Sequence, residues 1–212
     1  MKLTKHAHSC IEVEHEGRRI VIDPGGFTPN ARDVLSRADA VLVTHSHGDH
    51  LDPDAVAATM RTRAAMVLYG VEDVVAPLRE EFGERVRAVA PGDVLEVAGL
   101  SVSVYGGLHA QVLDGVPRGP NVGFLLGGRV FHPGDSLDPP DVEVETLLVP
   151  VSGPWMKLSE AAHFVNAVKP LRAVAIHEAL LSSIGLGIAA RILGNGSSTC
   201  VPVEFLEHGA DL

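Results

Sequence analysis

Residues 44–52 read Thr44-His45-Ser46-His47-Gly48-Asp49-His50-Leu51-Asp52, which sets three imidazoles and a carboxylate in the order HxHxDH within six positions. At this chain's own His and Asp frequencies the pattern arises by chance in roughly two of a thousand such chains. Its surroundings constrain it further. Residues 40–44 (Ala-Val-Leu-Val-Thr) form an apolar, β-branched run without polar alternation, the pattern of a strand buried on both faces. On the other side, Asp52 suits an N-cap and Pro53 a first helical position, with Val56 and Met60 at helical spacing, so a helix is expected over 52–61. A solvated His-rich loop or a tag remnant does not sit between a buried strand and a helix cap. Imidazole and carboxylate are the donors that Zn²⁺ and similar ions prefer. Gly48 lets the backbone turn tightly enough for all four side chains to face a common centre.

Strand and helix signals recur on both sides of this loop. Residues 10–14 alternate, Glu16-Gly17 is a turn signal, and residues 19–22 resume strand character, which together predict a hairpin. A second strand–helix unit is expected over 65–68 and 72–82. Short strands are expected over 86–89, 94–97, 101–105, 122–126, 129–131 and 146–149, then a helix over 158–168 stopped by Pro170. Residues 172–176 read as another buried strand, 180–193 as a helix weakened by two glycines, and 201–206 as a last edge strand. Hairpins and helix-alternating strands in both halves predict an α/β four-layer sandwich: two mixed sheets face to face, with helices on the outer faces. No linker, repeat or low-complexity tract interrupts the 212 residues, so one domain over 1–212 is expected.

One loop supplies too few ligands for a catalytic metal, which takes three or four protein donors and keeps a position open. Three further polar residues stand where a strand gives way to a loop. These are His109 after Gly106-Gly107, Asp135 in His132-Pro133-Gly134-Asp135-Ser136, and His177 at the end of Ala173-Val174-Ala175-Ile176.

With these residues in order, the chain resembles the metallo-β-lactamase-fold superfamily from the N-terminal hairpin to His177. Within it the chain is most similar to compact predicted metal-dependent hydrolases related to L-ascorbate-6-phosphate lactonase. The phrases His8-Ser9-Cys10, Ile22-Asp23-Pro24-Gly25 and His109-Ala110 carry that likeness. The resemblance implies that His45, His47 and His109 hold a first metal, that Asp49, His50 and His177 hold a second, and that Asp135 bridges them. It also implies hydrolysis by a metal-bridging hydroxide on a small ester-type substrate, a lactone or phosphoester. Asp49 would orient the nucleophile or protonate the leaving group. Two residues depart from the lactonase pattern: Glu178 and Ala179 follow the final His where an aromatic is common. Residues 111–120 also lack a second His.

The remaining candidates are weaker. Asp23 and Asp52 are candidates for holding ligand imidazoles in one tautomer, with plain helix capping the competing role for Asp52. The resemblance places the segment of His8 near the metals, which makes it a substrate-binding candidate at the pocket edge; a surface or core His is the competing reading. Trp155 and Lys157 are candidates to line the substrate pocket and meet an anionic group; the competing reading is a loop leading into a helix. His132 is expected to pack, and His6, His15, His163 and His208 to be surface or structural residues.

Composition enters through exclusion. A formal net charge of −10 and no basic run longer than Arg18-Arg19 disfavour a phosphate-backbone partner. Two cysteines give neither a disulfide framework nor a metal pair, and no apolar run reaches membrane-spanning length. The expectation is a cytoplasmic enzyme with two divalent ions, Zn or Mn with Fe compatible, a small-molecule substrate, no nucleic acid and no membrane, its homo-oligomeric state open. The alternatives are a nucleic-acid phosphodiesterase, a thioester hydrolase of glyoxalase II type, a redox protein using iron, and a non-catalytic metal-binding protein.

Overall fold

The computed structural model describes all 212 residues. The first sheet contains β1 (Lys2–Lys5), β2 (Ile11–His15), β3 (Arg18–Ile22), β4 (Ala40–Val43), β5 (Val67–Gly70), β6 (Val86–Ala88) and, from the far end of the chain, β14 (Ala210–Asp211). Their spatial order is β14-β1-β2-β3-β4-β5-β6. The second sheet contains β7 (Val94–Val97), β8 (Leu100–Leu108), β9 (Pro120–Leu126), β10 (Val130–His132), β11 (Thr146–Pro150), β12 (Arg172–Ile176) and β13 (Val203–Glu204), in the reverse of chain order. In each sheet an antiparallel meander leads into parallel strands, from β3 through β6 in the first and from β10 through β13 in the second.

Six helices accompany the sheets: α1 (Ala31–Leu35), α2 (Pro53–Thr62), α3 (Glu72–Val75), α4 (Arg79–Phe82), α5 (Leu158–Val168) and α6 (Ser183–Leu193). The strand period decides what each face meets. Leu148, Val174 and Ile176 point into the core shared with the first sheet, whereas Leu147, Val149, Ala173 and Ala175 point outward onto Ala161, Phe164 and Val165 of α5. Each fully buried Val, Leu or Phe removes apolar surface worth about 1.5–3 kcal/mol. The expected four-layer αβ/βα sandwich is the observed fold.

Several elements differ from expectation for identifiable reasons. The helix expected over 72–82 is split into α3 and α4 with a 3₁₀ turn at Ala76–Leu78 between them, because Pro77 has no N–H to continue the ladder. The strand expected over 65–68 lies at Val67–Gly70, and α6 starts at Ser183, where the Ser182 hydroxyl accepts the Gly185 N–H. β1 and β14 were not expected at all. β1 pairs with β2 and β14 and starts the chain inside the sheet, so the segment after it is anchored rather than trailing.

A candidate dinuclear metal centre

The ends of β4, β8, β10 and β12 meet along one rim of the sandwich, and the polar residues that follow them converge there. One group brings together His45, His47, His109 and Asp135; the other brings together His8, Asp49, His50 and His177. Within each group the potential ligand atoms all lie within 4.8 Å of one another. Thus the seven residues expected as ligands are brought together; Asp135, expected between the two sets, is grouped with His45, His47 and His109, and His8 joins Asp49, His50 and His177.

Asp135 lies between the groups. Its Oδ1 is 3.0 Å from His50 Nε2 and 3.1 Å from His177 Nε2, while its Oδ2 is 3.3 Å from His109 Nε2 and 3.8 Å from His45 Nε2. One carboxylate therefore addresses both groups, one oxygen to each. It is aimed by Asn121, whose Oδ1 accepts the Asp135 N–H at 2.9 Å and whose amide donates to the Pro133 carbonyl at 3.0 Å. Gly134 has φ +61°, and a Cβ there would strike Asn121 and Thr44. The Trp155 indole N–H donates to Asp135 Oδ2 at 3.0 Å. Trp155 is buried against the rings of His109 and His177, so it supports the carboxylate itself. Nothing in the local sequence around Trp155 or Asn121 announced these contacts.

The outer hydrogen bonds fix which imidazole nitrogen faces inward. His109 Nδ1 donates to the Ala110 carbonyl and His177 Nδ1 to the Ser152 carbonyl, both at 2.6 Å. His50 Nδ1 donates to Asp23 Oδ2 at 2.7 Å. Thr44 Oγ1 donates to the same Asp23 oxygen at 2.8 Å and accepts from His45 Nδ1 at 3.0 Å. Asp23 thus orients one imidazole in each group, directly or through Thr44, as the sequence suggested for it. Asp52 instead caps α2, accepting the Ala55 N–H at 2.9 Å. His47 faces inward by its Nδ1, 3.1 Å from His45 Nε2.

With Nδ1 spent as donor, a neutral imidazole presents its Nε2 lone pair. Here those lone pairs face carboxylate oxygens and each other. The buried Nε2 atoms of His50, His109 and His177 and the Oδ1 of Asp135 have no hydrogen-bond partner. Such a cluster of acceptors is unfavourable without a cation between them, so the donor set fits divalent metal ions. Without an ion, protons are drawn to the same place. Burial opposes a charged His50, yet Asp135 and Asp23 overcome it and hold its pKa at about 10; His177, also opposed by burial, is raised to about 9 by Asp135 and Asp49. Burial and the neighbouring His50 push His45 down to about 3. Burial likewise opposes the Asp135 charge, but His50, His109 and His177 keep its carboxyl well below the usual range. These carboxylates draw positive charge into the centre.

The other candidates fall outward. His132 packs at the floor, donating to the Ser9 carbonyl at 2.8 Å and accepting the Gly134 N–H at 3.1 Å. Lys157 is exposed at the N-cap of α5, outside both groups. His6 is buried and bonded to Glu12 and Asn30, and His163 lines a groove of about 420 Å³ beside Trp155.

A two-sheet sandwich with histidines and aspartates collected at one rim defines a class of metal-site proteins, and the sequence places the chain within it. The profile of the beta-lactamase superfamily domain matches residues 2–177, and the chain belongs to the metallo-β-lactamase-fold superfamily. Protein Rv0786c of Mycobacterium tuberculosis is 37% identical over 193 residues, 89% of each chain. The UPF0173 metal-dependent hydrolase MK1542 of Methanopyrus kandleri is 33% identical, with 84% of each chain covered. Among solved structures, Igni18, a metallo hydrolase of Ignicoccus hospitalis, superposes with a TM-score of 0.75 at 21% identity, covering 100% of this chain and 97% of that one. No helix is long and apolar enough to cross a membrane.

Proposed function

We propose that the chain is a dinuclear metal-dependent hydrolase acting on a small ester-type substrate, a lactone or phosphoester. The observation that carries this reading is the Asp135 carboxylate set between two groups of unpartnered imidazole nitrogens. The names of the Methanopyrus kandleri and Ignicoccus hospitalis relatives support the hydrolase class. His45, His47 and His109 would hold one ion and Asp49, His50 and His177 the other, with Asp135 shared; Zn²⁺, Mn²⁺ and Fe²⁺ all accept these donors. Bound there, such ions lower the pKa of water toward neutrality and polarise the substrate oxygen.

The protein's own groups do the rest. Asp23 and the Ala110 and Ser152 carbonyls keep His50, His109 and His177, and through Thr44 also His45, in the tautomer that offers Nε2. Asp49 is half-buried and bonded through Oδ2 alone, so its Oδ1 is available to take up or return a proton at the reacting centre. Burial opposes its charge, but the nearby His177 and His8 imidazoles hold its carboxyl below the ordinary range, so it stays a carboxylate at neutral pH. The groove beside Trp155, with Ser136, Arg118, Asp138 and His163 on its walls, has the size of a small-molecule site, and the net charge of −10 favours that over a nucleic acid.

Elemental analysis of purified protein, beside His47→Ala and Asp135→Ala variants, tests this. About two metals per chain are expected from the two ligand groups, falling in both variants; lactone and phosphoester substrates are then screened. Wild-type protein that stays metal-free after incubation with Zn²⁺ or Mn²⁺ would sink the hydrolase reading.

A further inference from the structure

His8 sits among the second group, its Nε2 3.1 Å from Asp49 Oδ2 and its ring centroid 3.9 Å from that of His177, the two planes tilted by 45°. By proximity alone it is a fourth ligand. Its hydrogen bonds say otherwise. The Ala179 N–H donates to His8 Nδ1 at 3.4 Å, so that nitrogen carries a lone pair, and the proton of the neutral ring is on Nε2. This is the reverse of His45, His50, His109 and His177, whose Nδ1 atoms are all donors. An Nε2–H cannot coordinate a metal, but it can donate to the Asp49 carboxylate 3.1 Å away.

The rest of the molecule is built to hold His8 in this pose. Its backbone has φ +59°, sparsely populated for a non-glycine residue, and the ring is fully buried. Its N–H donates to Glu178 Oε1 at 3.2 Å, and its carbonyl accepts the His177 N–H at 3.1 Å. Glu178 is in turn fixed by Lys5 at 2.6 Å, a lysine with 1% of its surface exposed. A buried ion pair this close in the low-dielectric interior resists rearrangement. Lys5, on β1, thus braces Glu178; Glu178 braces His8; and His8 reaches Asp49.

We infer that His8 is a positioning residue for Asp49: its Nε2–H orients the Asp49 carboxylate toward the second metal position, and His8 is not itself a ligand. The role assigned to Asp49 rests on the dinuclear reading, whereas the tautomer of His8 does not. Imidazole nitrogen NMR of the full chain, metal-free and loaded with NMR-active cadmium, tests both parts. His8 is expected to keep the Nε2–H tautomer in both states. Direct cadmium–nitrogen couplings are expected at His45, His47, His109, His50 and His177 but not at His8. His8→Ala should weaken the second cadmium by about tenfold, the usual cost of losing an outer partner, without lowering the saturating stoichiometry. His8→Gln, whose amide can still donate, should recover most of that loss, and circular dichroism checks that both variants fold. A cadmium coupling at His8, an Nδ1–H tautomer, or His8→Ala and His8→Gln each losing a whole metal equivalent would overturn the inference. Should wild-type protein take up no cadmium, the hydrolase reading fails, and the metal-free tautomer still decides the assignment of His8.

Discussion

The two halves of the sandwich contribute to the candidate metal centre in opposite ways. The first sheet delivers four candidate ligands, His45, His47, Asp49 and His50, in a single loop after β4. The second delivers three, one at a time: His109 after β8, Asp135 after β10 and His177 after β12. The concentrated loop needs bracing from its neighbours, because four side chains must be aimed by a short stretch of backbone. The dispersed ligands are each aimed by a strand already fixed in the sheet. The supports differ accordingly. In the first half one buried carboxylate, Asp23, orients imidazoles of both groups. In the second half each histidine is held separately by a main-chain carbonyl, that of Ala110 or of Ser152.

The sharpest way to break this comparison is at Gly25. The loop 24–26 backs directly onto the ligand loop: Gly26 N–H donates to the Gly48 carbonyl at 2.7 Å, and a Cβ at Gly25 would fall on the Asp49 carbonyl and the His50 nitrogen. Backbone cannot step aside as a flexible side chain does. Gly25→Ala is expected to cost at least about 3 kcal/mol of stability and to release metal from both positions. Urea unfolding together with metal analysis reads it. A variant that keeps wild-type stability and full metal content would show that the ligand loop is not braced from behind.

That bracing bears on what could be read before the structure. The HxHxDH loop was legible because its four side chains are neighbours in sequence. Asp135 and His177 were legible only as polar residues at strand ends, and their pairing across the centre depends on strand order in the second sheet. Asp23 was visible beside Pro24-Gly25, but its reach to Thr44 depends on the parallel pairing of β3 with β4. His8 and Trp155 were underread for a common reason. Each makes a side-chain hydrogen bond to a candidate ligand carboxylate, and no local spacing encodes a contact across 41 or 20 residues. The unrecognised β1 compounded this, because without it His8 belongs to a loose terminus.

A weaker but more specific probe is Asp23→Asn. Asparagine tolerates the positive φ of 48° found here, so the backbone is spared. The neutral amide, however, keeps a single oxygen for three donors, the Thr44 N–H on one side and the Thr44 hydroxyl and His50 Nδ1–H on the other, and turns its own N–H toward whichever its nitrogen faces. One imidazole in each group then loses its fixed tautomer, and metal affinity should fall by about 10- to 100-fold at both positions, read by chelator competition. Ser152→Ala is the matched control in the other half. It removes the hydroxyl that donates to the His177 carbonyl but keeps the Ser152 carbonyl that holds His177 Nδ1. Its effect on affinity should stay within about threefold, since no orienting partner is lost. Equal losses in the two variants would mean that the second half is as centrally organised as the first.

The smallest expected effect concerns stability and separates the halves by charge. In the first half Glu12 on β2 is buried and accepts from Arg37 at 2.7 and 2.8 Å, from Arg19 at 2.8 Å and from His6 at 3.2 Å. The Arg37 hydrogen bonds, partly offset by burial and aided by His6 and Arg19, hold its carboxyl at about 2. The pair of similar chemistry in the second half, Arg129 with Glu145, is exposed on both sides and contributes little in water. Because the folded-state pKa of Glu12 lies below its ordinary 4.5, its contribution is complete above about pH 4.5 and is lost as pH falls toward 2. Glu12→Gln should therefore lower stability at pH 7 by about 1–2 kcal/mol, less than removing one partner of a fully desolvated pair because the two arginines reach solvent. Unfolding midpoints should converge with wild type as pH drops through that window, whereas Glu145→Gln should leave them nearly parallel at every pH. A constant gap between Glu12→Gln and wild type down to pH 2 would place its effect in shape rather than charge, and the buried carboxylate would then not set the first half apart from the second.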